Sequence, residues 1–189
     1  MEYIRKATPE DAERIRYIAD QCWWLASGEI EAQKTIRQVL NDFYSHGNLT
    51  NEINNNISVF LLVIDEELPV AFTSYTLKKG NVNTCEINAM YCLPETQGKR
   101  FDELLVREVT KNTIAEGGNE IFVVLTDYNG PSAMFERLGF EPLKKIVQKK
   151  FDSEIRIMIK NIGSRRCKNS ISITSIPFKN RIGSGIIIG

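Results

Sequence analysis

Apolar positions along the chain follow two different periods, and the change from one to the other sets out the order of elements. Ala12, Ile15, Ile18, Ala19 and Cys22 recur at helical spacing and give one buried stripe. The stripe follows Thr8-Pro9-Glu10-Asp11, which reads as a helix start. The Thr8 hydroxyl can cap free amides, proline suits the first helical position, and the two acids suit the positive end of the dipole. Ahead of it, Tyr3 and Ile4 predict a short strand. A second helix is predicted from Ala32 to Ser45, with Ile36, Val39, Leu40, Phe43 and Tyr44 on one face and Gly47 as its stop. Asn48 to Asn56 is rich in asparagine and weakly periodic, so it reads as loop or a short helical turn.

From Ile57 the period shortens. Ile57 to Ile64 and Val70 to Leu77 are β-branched and aromatic runs separated by Asp65-Glu66-Glu67, a pattern that predicts a hairpin. Lys78 to Asn81 turns the chain again, and Thr84 to Leu93 predicts a further strand. Within it, alternation puts Glu86, Asn88, Met90 and Cys92 on one face. After Pro94 comes a helix with Phe101, Leu104, Leu105 and Val109 inward, stopped by Gly117-Gly118. Ile121 to Thr126 reads as a strand covered on both faces. Pro131 to Leu138 is a short helix closed by Gly139, and two strands follow near Phe140 to Lys149 and Ser153 to Lys160. The predicted order is β-α-α-β-β-β-α-β-α-β-β. The strand–helix–strand unit from Thr84 to Thr126 requires a parallel crossover, whereas the earlier hairpins are antiparallel. The fold class is therefore α/β, a mixed and mostly antiparallel sheet flanked by helices.

Composition narrows the function classes. The chain has 189 residues, enough for one domain and a tail, and its 24 basic and 24 acidic side chains cancel. Such a balance argues for neither nucleic acid nor a membrane surface as partner. Met1 to Lys6 lacks the apolar core of a secretory signal, and the longest apolar run, Val59 to Ile64, is far below a bilayer span. Four cysteines occur with no CxxC pair and no nearby histidine to complete a zinc set, so no metal and a reduced, cytoplasmic setting are expected.

Two segments carry a resemblance. Met90-Tyr91-Cys92-Leu93-Pro94-Glu95-Thr96-Gln97-Gly98-Lys99 is similar to the signature of GNAT N-acetyltransferases. Tyr128-Asn129-Gly130-Pro131-Ser132-Ala133-Met134-Phe135-Glu136-Arg137-Leu138-Gly139-Phe140 resembles the second motif of that superfamily, and Ile4 to Ala12 resembles its opening. The resemblance spans residues 2 to 160 and implies the acyl-CoA N-acyltransferase fold, with a parallel strand pair that splays open over the cosubstrate. It implies that the backbone of Met90, Tyr91 and Cys92 pairs with the pantetheine arm like an added strand. It likewise implies that the turn Gln97, Gly98, Lys99, Arg100, Phe101, Asp102 presents helix-start amides to the pyrophosphate of acetyl-CoA. Asn129 either contacts the coenzyme or caps the helix after Pro131.

Three positions depart from the family pattern. Arg100 and Asp102 stand where small residues are usual, and Phe135 stands where a tyrosine can protonate the leaving thiolate. A carboxylate about 4 Å from a phosphate costs on the order of 4 kcal/mol at a surface-like effective dielectric, so Asp102 predicts weakened coenzyme binding. Tyr128 is the candidate substitute acid. Glu86 is the candidate general base, at a position similar to a catalytic glutamate of histone-type members; a solvated strand glutamate is the plainer reading. Trp23 and Trp24 end the first helix beside the implied acceptor site, where at least one of them packs in the core. Cys92 reads as packing, and His46 as a loop side chain.

Residues 1–162 form the acetyltransferase-like domain in this reading. Residues 163–189 form an extension with five basic residues and no acidic ones, expected to lie loosely on the body. The function implied is N-acetyl transfer from acetyl-CoA to a small-molecule or peptide amine, in a monomer or in a homodimer joined through C-terminal strands. The alternative is a GNAT-fold binding or interaction protein with weak or no coenzyme binding.

Overall fold

The computed structural model describes residues 1–26, 30–78, 84–96, 98–126, 132–148 and 153–163. β1 (Tyr3–Lys6) leads through a 3₁₀ turn at Pro9–Asp11 into α1 (Ala12–Ala26), α2 (Ile30–Phe43) and α3 (His46–Asn54). Next come β2 (Val59–Asp65), β3 (Leu68–Lys78) and β4 (Thr84–Cys92), then α4 (Phe101–Ala115) and β5 (Glu120–Thr126). α5 (Ser132–Arg137), β6 (Glu141–Gln148) and β7 (Ser153–Asn161) complete the body. The strands form one sheet in the order β1-β2-β3-β4-β5-β7-β6. β4 and β5 are parallel, and every other neighbouring pair is antiparallel.

Two cores cover the two faces. On one, α4 packs Phe101, Leu105, Val106 and Val109 onto Leu61, Ala71, Tyr75, Ile87, Met90, Ile121 and Val123. On the other, α1 to α3 pack Ile15, Ile18, Cys22, Leu40, Tyr44 and Leu49 onto Phe60, Leu62, Phe72, Ala89 and Tyr91. Each predicted member of the α1 stripe, Ala12 to Cys22, is fully buried. Val39 and Leu40 of α2, and Tyr44 just after it, are buried as well.

Thr8 and Asp11 form a capping box ahead of α1. The Thr8 amide donates to Asp11 Oδ2 at 2.8 Å, and both terminal nitrogens of Arg5 donate to the same carboxylate at 2.7 Å. Asp11 is therefore the group that satisfies the turn.

Helix α3 covers most of the stretch predicted as loop or a short helical turn. Gly47 does not stop a helix; it lies inside α3, and His46 is the first residue of that helix and not a loop residue. Ser45 accepts a hydrogen bond from the Asn48 amide at 3.3 Å, and Leu49 (1% exposed) with Ile53 four positions on supplies the buried side.

Candidate functional site

β4 and β5 pair over only four positions: Thr84 with Glu120, Cys85 with Ile121, Glu86 with Phe122 and Ile87 with Val123. Past that point β5 goes on pairing with β7 through Val124, Leu125 and Thr126, while Ala89 to Cys92 pair with β3 alone. The strands have parted, and among the described residues no strand pairs with the β5-side edge of β4 over the residues expected to meet a pantetheine arm.

The parting coincides with a bulge in β4. Ser74 of β3 faces Ala89, yet Tyr75 faces Ile87, so Asn88 is an extra residue in β4. Asn88 Nδ2 donates to Thr76 Oγ1 at 2.8 Å and reaches Ser58 Oγ at 3.4 Å, which holds the bulged side chain against β3. The bulge overturns the predicted alternation. Met90 and Cys92 share the α4 face with Cys85 and Ile87, whereas Ala89 and Tyr91 pack on the α1 face. Glu86 lies on the α1 face, between core residues Cys85 and Ile87 of the other side. It is not on a face with Met90 and Cys92.

Glu86 is 4% exposed, and its Oε2 lies 2.5 Å from Lys78 Nζ. The ammonium also sits 5.0 Å from the centre of the Phe122 ring, across the paired half of β4 and β5. The candidate base thus lies one pair before the strands separate. Along the same face the Tyr91 hydroxyl accepts from the Trp23 indole at 2.8 Å and meets the Tyr44 hydroxyl at 3.4 Å. Burial pushes the Tyr91 phenol well above its ordinary value, and the same cause raises Tyr44. Trp23 is therefore the anchored member of the tryptophan pair; the Trp24 side chain lies outside the described residues.

Pro94–Thr96 forms a 3₁₀ turn after β4, in which the Thr96 amide and hydroxyl both bond Leu93 O. Gly98 then takes φ +90° and Arg100 φ +58°, ψ +36°, the left-handed region. Arg100 occupies the position where the family pattern carries glycine, and the backbone there needs glycine-like freedom. Arg100 is the residue before α4 and gives its first turn no side-chain cap. Among the described residues the amides of Phe101 and Asp102 have no backbone acceptor, as the start of an uncapped helix requires. The Asp102 amide meets the Cys92 side chain, and both amides stand at the start of α4 after the turn that follows β4.

The Asp102 carboxylate does not plug this turn. Its Oδ2 accepts from Nη2 of Arg137 at the end of α5, and Nη1 of the same guanidinium donates to Glu103 Oε1 at 2.7 Å. Arg100 Nε also donates to Glu103 Oε1, at 2.7 Å. Lys99 Nζ lies 2.5 Å from Asp65 Oδ2, a hydrogen bond that raises its ammonium above the usual value. Every cation described around the turn is matched by an acid.

Cys92 packs between the end of β4 and α4. Burial pushes its thiol well up, with the Asp102 charge adding to the effect, so it is held protonated and packs as expected. Phe135 is fully buried, with its ring edge-on to Phe140 at 5.2 Å, and belongs to the core. Gln97, Tyr128, Asn129, Pro131 and the stretch from residue 164 lie outside the described residues. No sequence signal singles out Arg137, Lys78 or the Asn88 bulge. Arg137 stands inside the second motif, but nothing in sequence couples it to a residue 35 positions earlier. No group of three potential metal-ligating side chains occurs among the described residues, and no described helix is long and apolar enough to cross a membrane.

Residues 80–151 match the family model described as FR47-like protein. The fold is similar to the PaiA N-acetyltransferase of Thermoplasma acidophilum in complex with coenzyme A, with a TM-score of 0.70 and 23% identity over 85% of this chain and 99% of that one. It is also similar to a spermidine N-acetyltransferase chimera of Vibrio cholerae SpeG and hSSAT (TM-score 0.59, 17% identity, 85% of this chain and 95% of that one). A third similar structure is an aminoglycoside 6'-acetyltransferase type Ii (TM-score 0.60, 16% identity, 86% of this chain and 99% of that one). Comparison with curated protein sequences gives no match. The matched segment takes in β4, α4, β5, α5 and β6, and the chain shares the GNAT fold of these structures.

Proposed function

We propose that this protein is an N-acetyltransferase that moves the acetyl group of acetyl-CoA to an amine of a small molecule or peptide. The observation that carries the reading is the parting of β4 from β5 after Ile87 and Val123, beside two helix-start amides without a backbone acceptor. The open edge of Met90, Tyr91 and Cys92 would hold the pantetheine arm, and the amides of the Gln97 to Asp102 turn would hold the pyrophosphate.

In the reaction the amine nitrogen attacks the thioester carbonyl carbon, the carbon–sulfur bond breaks, and an amide and a thiol leave. No covalent enzyme intermediate is required. Rate arises from positioning and from donors that polarise the carbonyl oxygen. We assign to Glu86 the removal of the amine proton, relayed through water because the carboxylate is buried beside Lys78. Phe135 has no proton to give the departing thiolate, so Tyr128 is the assigned donor. Residues 1–162 carry this function, and 163–189 are an appendage to it. The spermidine and aminoglycoside enzymes of similar fold support a polar amine as acceptor.

One observation favours the second reading, a GNAT-fold protein that binds coenzyme A weakly or not at all. Lys99, Arg100 and Arg137 are each already paired with an acid, so a diphosphate would rely on amides.

The deciding measurement is a thermal melt with acetyl-CoA, followed by an amine screen read by released thiol. A ligand at a hundred times its Kd stabilises by about 2.7 kcal/mol. For a chain of this size that is a rise of roughly 5 to 10 °C. No rise at millimolar acetyl-CoA would overturn the reading.

A further inference from the structure

The family pattern gives no reason for an acid at position 102, next to amides that would hold a diphosphate. The geometry supplies one. Asp102 is the second residue of α4, its side chain is 11% exposed, and its carboxylate is turned to Arg137 on α5. The Arg137 guanidinium bridges two consecutive carboxylates, Asp102 and Glu103, while Arg100 braces Glu103 from the other side. The four side chains make a closed set of two acids and two bases across the gap between two helices.

α5 needs such a tie. It has only six residues, too few to hold its shape by helix propensity alone. Phe135 and Leu138 anchor its inner side, and Lys160 Nζ donates to Leu138 O at 2.6 Å from β7. Phe135 and Leu138 share the core cluster of Phe101, Leu105 and Val106 of α4, while the Lys160 bond ties the end of α5 to β7. Arg137 is the polar link described between α5 and the first turn of α4.

We propose that Arg137 is a positioning residue for the coenzyme, acting through Asp102. It draws the Asp102 carboxylate away from the phosphate-facing amides, neutralises it, and clasps α5 to α4 so that the two helices bound one cleft of constant width. The proposal rests on the coenzyme reading above. It reverses the expectation that Asp102 merely weakens binding: in the clasp, removing that acid harms the site.

The test measures coenzyme A binding by calorimetry for the wild type, Asp102→Asn, Arg137→Gln, their double variant and Arg137→Lys. Hydrogen exchange of the residue 132–137 amides is read in parallel on the free proteins. The clasp predicts that each neutral variant weakens binding about tenfold, an ordinary coupling for a pair in contact. The double variant should then be no worse than the worse single one, and Arg137→Lys should recover part of the loss. Exchange in α5 should also rise about tenfold in both neutral variants, by the same coupling. Tighter binding by Asp102→Asn, strictly additive losses, or unchanged α5 exchange in Arg137→Gln would each overturn it. If the wild type binds no coenzyme, the catalytic reading fails by itself, and the exchange data on free protein still decide the clasp.

Discussion

Lys78 and Glu86 form an ion pair diagonally across β3 and β4, 2.5 Å between Nζ and Oε2, directly below the point where β4 leaves β5. If Glu86 is the base, Glu86→Gln keeps shape and hydrogen bonding but loses proton affinity. The expected outcome is a fall of about 10² in kcat with little change in the KM for acetyl-CoA. A steady-state comparison checks it, and an unchanged kcat would return Glu86 to a structural role.

Lys78→Met isolates the structural part of the same pair. It leaves a buried carboxylate without this cation, but the Lys78 side chain is 35% exposed. The expected loss is about 1 to 2 kcal/mol, below that of a fully buried pair. Urea unfolding reads it.

Arg100 holds a left-handed backbone that costs a side chain about 1 kcal/mol. Arg100→Gly should relieve this strain while loosening the unfolded chain and losing the Glu103 contact. Net stability should shift by less than about 1 kcal/mol. Coenzyme affinity should hold, because binding at this turn is assigned to amides. A tenfold loss in a titration would show that the guanidinium itself holds phosphate.

Asp11 makes a pH prediction. Burial acts to raise its carboxyl, but hydrogen bonds from Arg5 and the Thr8 amide outweigh this and hold it below the ordinary value. A depressed folded-state value means stability that is complete above the unfolded value, near pH 4, and is lost as pH falls through the folded one. Asp11→Asn should flatten the acid limb of a Tm-against-pH curve and lower the plateau.

Thiol chemistry gives a last check. Burial raises Cys22 and Cys85 to about 12 and holds Cys92 higher still. Native protein at pH 7.5 should leave all three unmodified by iodoacetamide on a timescale that labels them fully in denaturant, as mass spectrometry would read. Rapid native labelling of Cys92 would mean that the end of β4 is far more open than it is here.

How far the sequence could be read depended on the range of the interaction. The stripe from Ala12 to Cys22 and the β-branched runs are signals of period, and each lands on its element. Helix α3 reads in sequence only as loop or a short helical turn, because its cues are the Ser45 cap and two apolar residues, Leu49 and Ile53, set among asparagines. The Asn88 bulge leaves no glycine and no break in composition, so a strict period of two carried the faces of Met90 and Cys92 the wrong way. The Asp102–Arg137 pair is invisible for another reason: the turn motif shows that an acid is out of place, but only folding reveals which distant cation accepts it.

The early end of the β4–β5 ladder has a further consequence for solubility. Unsatisfied strand edges ordinarily invite other polypeptides to add on. Here the bare stretch belongs to the fourth strand of seven, so sheet continues on either side of it. A second protein would have to displace its own neighbours to reach those backbone groups, while a slender chain molecule need not. The bare stretch thus sits in the middle of the sheet, away from the outer edges where edge-to-edge aggregation begins.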